Sequence, residues 1–147
     1  MFVRRRGRPF GRRSKRVAIR IVRLGTPRVQ DEGVRIGTVR RPPRGVKKQD
    51  LARADFYDVW LPNLAPSAAL VKAAQAAVTQ AQWDRFRRRY RIEMSRPDAR
   101  RVLDLLAVLS HVTNLSVGCY CEGEGHCHRA VLRDLLAARQ ADLGKPG

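Results

Sequence analysis

Apolar and polar side chains alternate over residues 17–24, with Ile19 and Ile21 on one face, and Gly25-Thr26-Pro27 interrupts the run. Period-two alternation closed by turn residues predicts a first strand. Asp31-Glu32-Gly33 reads as a turn, and residues 34–39 alternate again until the Arg and Pro cluster at 40–45, a rigid basic loop. A helical turn around residues 49–54 and a third strand over 56–61, stopped by Pro62, follow. The period then changes. Residues 64–67 open an Ala-rich helix to about Ala77, with Pro66 in its first turn, where a missing N–H costs nothing. A further helix over 82–94 sets Trp83, Phe86, Tyr90 and Met94 on one stripe and Arg85, Arg88, Arg89 and Arg91 on or beside the other face. Ser95-Arg-Pro-Asp98 has the form of a helix cap, and Val102, Leu103, Leu106 and Leu109 supply the core face of the helix behind it. A short apolar strand over 115–120, a glycine-bearing loop and a helix over 130–138 complete the pattern. Strands alternating with helices predict an α/β domain, its mixed or parallel sheet flanked by helices on both faces.

Composition adds a boundary to that picture. At 147 residues with 44% hydrophobic content, the chain is one domain's worth. Its net charge of +18 is unevenly spread: residues 1–50 carry 17 basic and 3 acidic residues, a net of +14, against +4 for the remainder. Residues 1–16 hold eight basic residues and no acidic one, the composition of a flexible arm. The organisation expected is therefore an arm at 1–16, a domain at 17–140 and a flexible tail at 141–147. Such a surplus points to an anionic partner, a nucleotide or a nucleic acid. Three cysteines within nine residues are odd in number and too close for a disulfide framework, which suits a reducing compartment. No stretch is long and apolar enough for a membrane span and no apolar segment follows the opening arginines, so a cytoplasmic protein is expected.

Chemistry concentrates in residues 119–129, which hold all three cysteines, Cys119, Cys121 and Cys127, and two of the three histidines, His126 and His128. Strand, loop and helix place this segment where open α/β sheets bind ligands. Two chemistries compete here. Cys119, Cys121 and Cys127 with His126 or His128 supply three sulfurs and one nitrogen, a donor set that zinc accepts, although C-x-C departs from the usual C-x2-C spacing. Alternatively Cys127, at a helix start beside His128 and Arg129, is a thiolate nucleophile with His128 as acid or base and Arg129 as an anion clamp. The spacing does not copy the C-x5-R phosphate loop. Plain packing of the cysteines and capping by His128 and Arg129 would also account for these residues. Glu122 and Glu124 could orient a histidine or be simple loop charges.

Pro43-Arg44-Gly45, Trp60-Leu61, Leu64-Ala-Pro-Ser67 and Trp83-x-x-Phe86-x-x-x-Tyr90-x-x-Glu93 resemble, in order and spacing, blocks of the bacterial family known as domain of unknown function 488, in particular its YeaO-like branch. Cys119 and Cys127-His128-Arg129 resemble the wider family's pattern of a strand cysteine followed after seven residues by C-H-R. Val39, Pro42 and Cys121 depart from the residues usual at those positions. The resemblance covers about residues 17–137 and implies a compact α/β fold.

Residues and charge together lead to one expectation: a phosphate-bearing ligand in a crevice between loop 119–129 and loop 40–45, gripped by Arg40, Arg44 and Arg129. Two alternatives stand beside it. The first is a non-enzymatic nucleic-acid-binding module that uses the arm, and the second is a zinc-stabilised domain.

Overall fold

A computed structural model describes residues 18–121 and 126–144. Four strands form one parallel sheet in the order β1-β4-β2-β3, with β1 Ile19–Arg23, β2 Val34–Gly37, β3 Val59–Trp60 and β4 Leu115–Cys119. The order follows from burial. β4 is buried at all five positions, as a strand flanked by others on both edges must be, and it pairs Ile21 with Val117 on one side and Ile36 with the same Val117 on the other. The expected mixed or parallel sheet is thus wholly parallel.

Four helices follow β3 or β4: α1 Ala68–Ala76, α2 Gln80–Met94, α3 Pro97–Leu109 and α4 His128–Ala138. Their apolar stripes meet in one core with the sheet residues Ile19, Ile21, Ile36, Leu115 and Val117. Phe86, Tyr90 and Met94 of α2 are buried there and Trp83 packs at its edge, as periodicity predicts. The second core contains no residue of α1, α2 or α3. Leu24, Val39, Leu51 and Tyr57 build it with Cys119 and Cys127, so loop residues, with Leu51 directly after the 3-10 turn Lys48–Asp50, form this second cluster.

Several local expectations change. Pro66 precedes the helix it was expected to open, because Ser67 caps α1 by accepting from the Leu70 N–H, while Pro62 begins a separate 3-10 turn, Pro62–Leu64. Ser95 does not cap α3. Its hydroxyl donates to the Ile92 carbonyl at the end of α2, and α3 starts with Arg96 as N-cap and Pro97 in the first turn. The third strand is only two residues long, since the Phe56 N–H bonds back to Leu51 and keeps residues before Val59 in the preceding turn. Residues 141–144, expected as the start of a flexible tail, add to the edge of the sheet: Leu143 bridges Ile19, and the Ile19 N–H and C=O bond to Asp142 and Gly144. At Gly33, φ is +78° and an added Cβ would run into the Asn114 carbonyl, so the turn before β2 needs glycine. The proposed arm at 1–16 lies outside the described residues. Among the described residues no helix is long and apolar enough to cross a membrane.

Candidate functional site

Parallel pairing brings the C-terminal ends of β2 and β4 side by side, and the two loops leaving them share hydrogen bonds. Thr38, just past β2, donates its N–H and its hydroxyl to the Gly118 carbonyl of β4. The Tyr120 hydroxyl donates to the Arg41 carbonyl. The start of the cysteine loop at Tyr120 therefore borders Arg41 of the loop that leaves β2.

Three sulfurs converge at this point. Cys119 ends β4 at 2% exposure, Cys121 follows two residues later on the exposed side, and Cys127 caps α4 at 5% exposure. The bend at Tyr120 keeps Cys121 close to Cys119, and the return of the chain into α4 carries Cys127 to them. The Cys119 and Cys127 Sγ atoms are 2.9 Å apart and all three sulfurs lie within 4.8 Å of one another. Three adjacent thiols cannot ionise independently. Hydrogen bonding to Cys119 and Cys127 comes first and the nearby Arg129 guanidinium adds positive potential, so against the effect of burial the Cys121 thiol is held well below its ordinary pKa. Cys119 is pushed up by its hydrogen bonds to Cys121 and Cys127 and by burial. Cys127 is pulled down by the Cys119 hydrogen bond, but donation to Cys121 and burial outweigh this and raise it. Cys127, expected as the reactive thiolate, is thus a buried thiol, and the exposed thiolate position belongs to Cys121.

His128 faces inward. Its Nε2 lies 2.9 Å from the Thr38 carbonyl oxygen, which fixes the proton on that nitrogen, and Tyr90 meets the ring edge-on at 5.4 Å. Burial lowers its pKa to about 4, so the ring is neutral, with Nδ1 at 3.7 Å from the Cys127 sulfur. The imidazole expected as acid or base is thus buried and positioned by Thr38 and Tyr90. His126 is outside the sulfur cluster; it is exposed and stacks on Trp83 with ring centres 4.9 Å apart. Glu122 and Glu124 lie outside the described residues.

Of the three arginines expected to grip an anion, only Arg129 is built into the cluster. It is 4% exposed, its Nη2 donates to the Cys121 carbonyl at 2.6 Å, and its Nε is buried without a partner among the described residues. Arg40 is committed elsewhere. Its Nε bonds the Pro66 carbonyl and its Nη2 the Pro62 and Ala65 carbonyls, so it braces the segment between β3 and α1. Arg44 is exposed on the bordering loop. Thr38 and Tyr90, which hold His128, carried no signal of that role in the sequence: one read as strand, the other as core.

No curated protein and no solved structure matches the chain. Residues 19–140, however, match the family described as the active DUF488-N3 subclade, which spans every element from β1 to α4 and the whole thiol cluster, and the chain therefore belongs to the DUF488 family.

Proposed function

We propose that this protein binds a phosphate-bearing ligand, a nucleotide or a nucleic-acid end, in the crevice between loops 119–129 and 40–45, and presents the Cys121 thiolate to it. The observation that carries this reading is the state of Arg129. A guanidinium buried to this degree is normally matched by a carboxylate, because an unpaired buried cation is costly. Among the described residues it has one carbonyl partner and an Nε without a partner, at the positive end of an 11-residue helix. An anion bound there would use the donor and the helix field together, and phosphate suits the planar guanidinium. Arg44 would reach the ligand from the bordering loop. The word active in the subclade's description is in line with a site that does more than pack, and three unpaired thiols are in line with a reducing compartment such as the cytoplasm.

The test is alkylation of the reduced, metal-free full chain, with mass-spectrometric mapping of each thiol. Cys121 is expected to react first, well ahead of buried Cys119 and Cys127, and inorganic phosphate or mononucleotides should slow it. Arg129→Gln should remove that protection. Uniform reactivity of the three thiols, unaffected by phosphate compounds at millimolar concentration, would overturn the reading.

A further inference from the structure

We infer that Cys119, Cys121 and Cys127 form a three-thiolate site for one soft divalent metal ion, zinc by its chemistry, with the fourth coordination position left open. This does not rest on the phosphate reading; it concerns what the same sulfurs hold when a metal is supplied.

The first argument is convergence from separate elements. One sulfur ends a buried central strand, the second follows two residues later in the loop, and the third comes from the cap of the next helix, with five residues between Cys121 and Cys127. Packing alone needs one small apolar side chain at such a junction, and Cys119 would satisfy it. It does not require a third sulfur on the solvent side. The second argument is size. Sulfurs bound to one zinc at about 2.3 Å stand about 3.8 Å apart, inside the 2.9–4.8 Å range of this cluster. Cys119 and Cys127 would separate by about 1 Å on binding, a side-chain adjustment. The third argument is charge. Three thiolates on a divalent ion leave one net negative charge, and this one would sit beside the buried Arg129 guanidinium and the positive end of α4. A cation that has no carboxylate partner among the described residues is thereby matched without one.

Neither histidine closes the coordination sphere. His126 is held against Trp83, and His128, although its Nδ1 lies 3.7 Å from the Cys127 sulfur, is outside the set of donors that all lie within 4.8 Å of one another. Three protein ligands and a position facing Cys121's exposed side resemble the open geometry of a catalytic zinc, not the closed four-ligand geometry of a structural one. A solvent molecule or an anionic ligand oxygen would take the fourth place.

The experiment uses the reduced full chain, purified without chelator in phosphate-free buffer. Elemental analysis should find close to one zinc per chain, and replacement with cobalt should give the intense near-ultraviolet absorption of thiolate-to-cobalt charge transfer. Cys121→Ser, on the exposed side, should keep the native circular dichroism yet weaken metal binding by at least about 100-fold. No retained metal together with no charge-transfer band on cobalt titration would overturn the site. So would Cys121→Ser binding metal as tightly as the native chain. Arg129→Gln separates the two readings, since loss of phosphate protection with metal retained removes only the anion clamp, and loss of the metal site with phosphate protection intact removes only the thiolate centre.

Discussion

Arg35 is the largest fully buried side chain in the described structure, and a guanidinium can occupy a sheet interior only when its charge and donors are met. Glu32 meets them through two hydrogen bonds, at 2.7 Å to Nε and 2.8 Å to Nη2, while the Thr26 and Asp55 carbonyls take Nη1. Ser116 of β4 donates to the same carboxylate. Burial alone would raise the Glu32 carboxyl, but Arg35 and Ser116 hold it below the ordinary value. Asp58 is lowered in the same way by Arg28 and the Arg35 backbone N–H, against the effect of burial. Carboxyls with depressed folded pKa values bind fewer protons than the unfolded chain does. Their contribution is therefore complete above the usual range near about 4 and is lost as pH falls below it. Urea midpoints should hold steady down to about pH 5 and then decline, with a shallower decline in Glu32→Gln. The substitution itself, which leaves Arg35 buried without its carboxylate, should cost about 3–5 kcal/mol at neutral pH. A loss within about 0.5 kcal/mol would mean that the pair contributes nothing to the fold.

At the level of elements, β4 decides whether the sheet closes over the thiol cluster, and Gly118 decides how closely β4 and β1 approach. A Cβ at this position would collide with the Val22 carbonyl oxygen and crowd the Val22 and Leu24 side chains. Gly118→Ala must push a backbone atom and not a flexible side-chain end, so the expected cost is about 1–3 kcal/mol. Chemical denaturation measures it. Alkylation should also show Cys119 less protected in this variant, because that residue follows directly in the strand. The elements themselves were largely legible in the sequence. Period-two runs and the Trp83, Phe86, Tyr90, Met94 stripe report burial on one face, which is the quantity that fixes strands and helices. What hid was whatever depends on a partner far along the chain. Arg35 reads as a solvated charge until Glu32 and Ser116 surround it, and Ser95 reads as a cap until its hydroxyl is seen bonding backward to α2. Within the cysteine cluster, spacing pointed to the segment whose three sulfurs come together. It could not tell that Cys127 turns inward while Cys121 faces out, because that depends on where α4 rejoins the sheet.

The molecule as a whole carries far more positive charge than its described ion pairs use. Arg28, Arg91 and Arg139 have carboxylate partners in Asp58, Asp134 and Asp104. Arg85, Arg88 and Arg89 on α2, and Arg41, Arg44, Lys47 and Lys48 between β2 and β3, are exposed. These surfaces add to the eight basic residues in positions 1–16, and no base-reading motif accompanies any of them. A polyanion held in this way is held by phosphate neutralisation and counterion release, which is indifferent to sequence and steep in salt. Binding to mixed-sequence DNA and RNA should therefore weaken linearly in logarithmic plots of affinity against salt, with a slope of about 0.9 per duplex phosphate neutralised and about 0.7 on single strands. Removing residues 1–16 should reduce both the affinity and that slope. Arg129→Gln, a single buried charge in the crevice, should leave the slope nearly unchanged while abolishing the protection of Cys121 by mononucleotides. That contrast separates a polyanion tracked by exposed basic residues from a phosphate gripped at the thiol site. Affinity insensitive both to salt and to the truncation would exclude electrostatic nucleic-acid binding and leave only the small phosphate-bearing ligands proposed for the crevice.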